Sequence, residues 1–323
     1  MIGSGVLLMA WSACATIPHL RSGVGTMLRP PEDRVAERDS AVQVAPGERL
    51  SVRLNGMPAL RGAASRVPTH IVLLPGPVGS AFSMRHVSAA LCAHGLPVLV
   101  IDPLGMGRSS RPTDADYSLA AQARRIAAVL DSVGVARTLV VAHGTSATLA
   151  LRLAAAAPER ISGILSLAGG PIDRQETTGV RLALALAPLL DTPVGRAIGR
   201  RRFLAAIREQ SAAPAWCTPD VAARYLAPIE SDVRGTLRVL RAMQQAVEPS
   251  RIETELHRIR APVRLLVGDH PTAHAPTAAQ VALLQRQLAR LRVDTITGAG
   301  TMLHEERADA VVAAVLEMLN NTR

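Results

Sequence analysis

Between residues 70 and 170 the chain repeats one pattern: a short, mostly apolar run followed by a longer segment with helical spacing. The runs are HIVLLPG (70–76), PVLVIDPLG (97–105), RTLVVA (137–142) and ISGILSLAGG (161–170). Between them lie MRHVSAALCAHG (84–95), SLAAQARRIAAVLDSVGV (118–135) and TSATLALRLAAAAPER (145–160). A strand that is apolar along its whole length is buried on both faces, which happens when helices cover both sides of a parallel sheet. Short connections between alternating strands and helices favour right-handed crossovers within one such sheet. Gly95 follows the first helical segment as its C-terminal stop.

The rest of the chain fits around this unit. ERLSVRLNG (48–56) alternates polar and apolar residues, the signature of an antiparallel strand. After Gly170 the alternation of strand and helix stops for about eighty residues, and 171–250 is helical in character and punctuated by prolines. It resumes with VRLLVG (263–268), a helix through 277–291, VDTIT (293–297) and a final helix, HEERADAVVAAVLEML (304–319). The expected architecture is α/β, a mostly parallel sheet flanked by helices. Its core comprises 46–170 and 251–323, interrupted by a helical cap at 171–250.

Composition limits the function classes. Hydrophobic residues make up 48% of the chain, enough for a large core, while aromatics are only 2%, so Leu, Val, Ile and Ala must fill it. Every one of the 36 basic residues is arginine, which points to coding bias rather than to a mechanism behind the net charge of +10. Nucleic-acid binding wants basic residues interleaved with stacking aromatics, and that class is set aside. The 3 cysteines are too few and too scattered for a disulfide framework or a zinc site. Asp269-His270 with His274 lacks a third well-placed ligand and is flanked by Pro271 and Pro276, so neither metal nor cofactor is expected.

The order of elements, with LLPGPVGSAFSMRHV, VIDPLGMGRSS, VVAHGTSATLALRLA and GAGTMLHEERADAV at their intervals, resembles the α/β-hydrolase fold superfamily. The similarity is to the capped branch of esterases, epoxide hydrolases, haloalkane dehalogenases and cofactor-free haloperoxidases, and covers roughly residues 47–320. It implies a nucleophile on a G-x-S-x-G turn, a histidine base, an orienting carboxylate and backbone N–H donors for the oxyanion. Fold alone does not license that chemistry, so each position must be read.

The turn aligns as Ala142-His143-Gly144-Thr145-Ser146, and Gly144 stands at the nucleophile position without a side chain. The histidine position is Thr301 in Gly298-Ala299-Gly300-Thr301, and a hydroxyl cannot act as a base near neutral pH. The acid position is Pro271 in Gly268-Asp269-His270-Pro271, leaving Asp269 as a turn residue. One oxyanion donor aligns with Pro77 after Pro75-Gly76, and proline has no N–H. The second donor, the N–H of Thr145, is retained.

Substitutes exist nearby: Ser146 and Thr145 beyond the apex, His304 one helical turn past Thr301, and Asp173 where some branches carry the acid. Their plainer roles are close helix packing for Ser146, helix N-terminal capping for Thr145, and a first-turn position beside Glu305 and Glu306 for His304. A shift of one turn moves a residue about 5 Å, whereas about 1 Å already costs roughly a hundredfold in rate. The expected protein is therefore a pseudohydrolase binding a small apolar or ester-like ligand, or a partner, around Gly76, Pro77, His143, Gly144, Thr145 and Thr301. An active hydrolase using Ser146 and His304, and a membrane-associated scaffold, are the alternatives.

Two segments bear on the membrane. MIGSGVLLMAWSACATIP resembles the end of a bacterial lipoprotein signal, with Cys14 as the lipidation position, although no basic residue precedes the apolar run. Residues 15–45 read as a tether. Export or anchoring and a cytoplasmic location fit the sequence equally well. In the cap, six arginines (181, 196, 200, 201, 202, 208) stand against Asp191, a basic face suited either to water or to anionic lipid. If Cys14 is lipidated, cells expressing the natural sequence place the protein in the membrane fraction and Cys14→Ser releases it. Soluble protein with an intact Met1 would refute the reading.

Overall fold

The computed structural model describes residues 38–56, 70–76, 79–174 and 192–321. The strands are β1 (Arg38–Ala45), β2 (Glu48–Asn55), β3 (His70–Leu74), β4 (Val98–Ile101), β5 (Thr138–His143), β6 (Ile161–Leu167), β7 (Val263–Gly268) and β8 (Leu291–Ile296). They form one sheet in the order β1-β2-β4-β3-β5-β6-β7-β8, with β1 and β2 antiparallel and the rest parallel.

Alternate residues of the central strands feed two separate cores. Ile71 and Leu73 of β3 and Leu139 and Val141 of β5 pack on one face against α1 (Arg85–Ala93) and α9 (Ala308–Asn320). Val72, Leu74, Val140 and Ala142 pack on the other, with α2 (Leu119–Ser132) and α3 (Ser146–Ala156). Each fully buried Leu, Ile or Val contributes about 1.5–3 kcal/mol, so a polar residue at any of these strand positions would be expelled toward water. Gly95 at φ +73 follows α1, where a side chain would be strained.

Three expectations are corrected. Residues 38–45 are not tether but the edge strand β1, paired to β2 through Val42↔Leu50 and joined to it by a Pro46-Gly47 turn with Gly47 at φ +75. SAVQVA alternates on one side of that turn as ERLSVRL does on the other, so the hairpin signal was present in the sequence. The remaining N-terminal calls, Cys14 and the tether before residue 38, lie outside the described residues. The final helix is broken into α8 (Leu303–Glu306) and α9, since Arg307 adopts φ −139. The helix expected over 277–291 is shorter, α7 (Ala278–Gln287), because β8 begins at Leu291.

Between β6 and β7 the described residues carry α4 (Pro193–Glu209), α5 (Pro219–Glu230) and α6 (Val233–Gln245). The chain returns from them to the sheet across Arg152 of α3, whose side chain is only 2% exposed. Its guanidinium meets Glu255 at 2.6 Å, Asp173 at 3.1 Å and Glu248 at 3.3 Å. Glu248 also accepts the backbone N–H of Leu119 and Ala120 at 2.6 and 3.1 Å, completing the free end of α2. Arg152→Ala leaves three carboxylates facing one another without their cation. It should cost about 3–5 kcal/mol in chemical denaturation, with Arg152→Lys intermediate because a point charge cannot reproduce the planar fork.

Candidate active site

The carboxyl ends of the parallel strands converge on the edge where open α/β sheets hold their ligands. There β5 ends at His143 and α3 begins at Ser146, with Gly144 between them at φ +57. The turn is closed from both sides. Gly144 N–H donates to Leu167 O at 3.0 Å, and Ala147 N–H donates to Gly144 O at 3.0 Å. Gly169 lies so near that a Cβ there would stand 2.2 Å from Gly144 O. The geometry is that of a tight strand-to-helix turn, and its apex carries only hydrogen.

The neighbouring hydroxyls are otherwise engaged or misplaced. Ser146 is 1% exposed and its Oγ donates to Pro75 O at 2.6 Å, a bond that ties α3 to the end of β3. Thr145 is half-buried and makes no side-chain cap bond, so its expected capping role is corrected. It adopts helical φ and ψ (−63°, −23°) rather than the extended geometry of side-chain caps. Asp173 accepts from Ile252 N–H at 2.7 Å and from Arg152, which commits it to the return of the cap.

The histidine and acid positions lie on packed loops. A Cβ on Gly268 would come within 2.0 Å of Ala299 O, and Asp269 Oδ1 accepts from Gly298 N–H at 2.8 Å. Pro271 is exposed beside them, as are His270 and His274. Thr301 is buried beside the end of α4. Its N–H donates to Gln210 O at 2.8 Å, and Gly300 sits where a Cβ would be 2.0 Å from that carbonyl. Thr301 O in turn accepts from His143 Nε2 at 3.0 Å. The end of α4 is thus joined through Thr301 to the residue preceding Gly144. Gly76 lies against His143, with 2.6 Å between a Cβ there and Nδ1, so a side chain at 76 would displace the imidazole. Pro77 lies outside the described residues.

His304 packs its ring on His143, centroids 4.3 Å apart. It is 1% exposed; its Nε2 lies 3.4 Å from the Tyr225 hydroxyl, and its Nδ1 has no partner. Tyr225 Oη donates to Glu305 at 2.5 Å, and Glu305 takes a bidentate bond from Arg85 at 2.6 and 2.8 Å. Burial, and Glu305 beside it, hold the Tyr225 hydroxyl well above its ordinary pKa. Burial pulls His143 down to about 4, and burial together with His143 pulls His304 well below its ordinary value. Both rings are neutral at pH 7. Sequence reasoning placed His304 but missed Gln210, Tyr225, Arg85 and the buried role of Glu305. Arg85 and Glu305 are 220 positions apart, with no local signal linking them.

A model described as the alpha/beta hydrolase family matches residues 71–314. The chain belongs to the alpha/beta hydrolase family. Epoxide hydrolase B of Mycobacterium tuberculosis is 35% identical over 98 residues, 30% of this chain and 28% of that protein. The chain therefore matches less than a third of the length of that curated relative. Among solved structures, Cfl2 from Burkholderia cenocepacia superposes with a TM-score of 0.66 at 22% identity, covering 88% of this chain and 95% of that one. A putative lipase from Acinetobacter baumannii gives 0.69 at 17% identity over 89% and 92%. Likeness at these identities shows the shared fold.

The neutral histidine pair carries a pH signature. Unfolded histidines bind a proton near pH 6.5, and these two resist it when folded, so the unfolded chain gains protons first as pH falls. Stability from His143 is complete above about pH 6.5 and is lost as pH falls toward about 4, by roughly 1.4 kcal/mol per pH unit, and His304 acts in the same direction. Asp102, raised to about 6 by burial, runs the opposite way. The decisive measurement is therefore a difference: the loss of stability between pH 7 and pH 5 should shrink in His143→Gln with His304→Phe relative to wild type.

Proposed function

We propose that this alpha/beta hydrolase family member has lost the nucleophilic catalysis of its fold and binds a small apolar or ester-like ligand beneath the cap. The observation that carries the reading is Gly144 at the apex of an intact turn, at φ +57 with no side chain to attack a substrate. An acyl-enzyme or alkyl-enzyme bond needs an oxygen, sulfur or nitrogen at that place. Ser146 Oγ is turned instead to Pro75 O, and His304 is held to Tyr225 rather than to a hydroxyl at the turn. Half-buried His143, Gly144 and Thr145 remain as a small, uncharged floor for a ligand.

The named relatives include an epoxide hydrolase, a haloalkane dehalogenase and a 2-hydroxymuconate semialdehyde hydrolase. Their reactions define the test panel. Wild-type protein should show no turnover above background on short esters, epoxides or haloalkanes, and no covalent labelling by a fluorophosphonate in mass spectrometry. Gly144→Ser alone should stay inactive, because a serine at its ordinary pKa is a poor nucleophile. Gly144→Ser with Thr301→His and Pro271→Asp rebuilds nucleophile, base and acid and should give at most weak esterase activity. Wild-type ester turnover abolished by Ser146→Ala would show that catalysis had moved, and the binding-protein reading would fall.

A further inference from the structure

At the opposite edge of the sheet, where β5 to β8 begin, the surface folds inward around a cavity of about 250 Å3. It is lined by Arg137, Arg260, Arg290, Ser162, Pro262 and Asn321, among others, and no carboxylate lines it. The arginines arrive from three separate chain segments. Arg137 immediately precedes β5, Arg260 leads into β7, and Arg290 immediately precedes β8. The parallel register sets their strand starts side by side, with Pro262 O accepting from Ile164 N–H and Arg290 O from Val263 N–H, at 2.9 and 2.8 Å.

The three arginines are exposed, so water screens their mutual repulsion, and they gather positive charge on one concavity. Elsewhere in this fold arginines at such places find carboxylates; Arg160, immediately before β6, meets Asp131 at 2.6 Å. Among the described residues, Arg137, Arg260 and Arg290 make no ion pair and no side-chain hydrogen bond. The nearby carboxyl ends of α3 and α9 carry partial negative charge that favours basic neighbours. None of the three guanidiniums, however, donates to a helix-end carbonyl among the described residues. A second observation points to a ligand. Ser162 is 4% exposed, lines this cavity, and its hydroxyl has no hydrogen-bond partner. Buried polar groups are ordinarily satisfied, and an orphaned one marks a place for a missing partner.

We propose that this cavity is a binding site for a small, multiply charged oxyanion, a pyrophosphate or a polycarboxylate, remote from the Gly144 turn. Guanidiniums present paired N–H donors matched to phosphate and carboxylate oxygens, and their bonds to such anions are the strong, charge-assisted kind. Ser162, in the wall of the cavity, carries a hydroxyl with no partner of its own. About 250 Å3 holds an anion of a few charged groups and is below the usual 300–1,000 Å3 of drug-sized ligand sites. The site does not depend on whether the family chemistry survives.

Isothermal titration of the full chain with pyrophosphate and, separately, citrate, at constant ionic strength in chloride, tests it. Saturable binding at one site per chain is expected for at least one of them. The preferred anion tells phosphoryl from carboxylate recognition. Arg137→Gln with Arg260→Gln should weaken that binding at least tenfold, and Ser162→Ala about threefold. Arg201→Gln with Arg202→Gln, on α4, should leave it unchanged. The proposal is overturned if neither anion gives saturable heat. It is equally overturned if the α4 variant loses as much affinity as the strand-edge variant, since binding would then follow net charge alone.

Discussion

β5 has no face turned to water. Leu139 and Val141 point into one core while Val140 and Ala142 point into the other, and β3 and β6 supply its backbone partners on either side. A strand enclosed in this way must return to the same sheet through helices on both faces, so every loop at its carboxyl end is brought to a single edge. That convergence gathers Pro75, Gly144, Gly169, Asp269 and Thr301 into one neighbourhood, although they span more than two hundred positions. Everything about the candidate site follows from it.

What the edge then holds is set by close backbone approaches rather than by reactive side chains. Gly76, Gly144, Gly169, Gly268 and Gly300 each stand where a Cβ or a different φ would collide or strain. The turn between β5 and α3 is closely packed, and Gly144 at its apex presents no side chain. Ser146, His143 and Thr301 have become ties between β3, α3 and the end of α4.

Two buried charge clusters join the parallel core to the segment between β6 and β7. Arg152 draws three carboxylates around it, and Arg85, Glu305 and Tyr225 satisfy one another beneath α5. In both cases a residue of the parallel core holds a residue from the segment between β6 and β7. In a low-dielectric interior an unpaired partner would be costly, so the two clusters fix where that segment leaves and rejoins the sheet.

The alternation of apolar runs and helical spacing was enough to establish the α/β architecture, the parallel centre and the location of the turn at Gly144. Those features depend on periodicities of about two and 3.6 residues, which are local and therefore legible. The β1 hairpin was legible too, in the alternation about Pro46-Gly47, and the break at Arg307 was not, because helical periodicity runs straight through it. The absence of a side chain at 144 was likewise plain from the residues themselves. Tertiary structure alone decided that Ser146 faces Pro75, that Thr301 meets Gln210, that His304 stacks on His143, and that Arg137, Arg260 and Arg290 share one concavity. Each of those pairings joins residues far apart in the chain through the geometry of the sheet, and no local pattern encodes which distant partner a buried polar group will find.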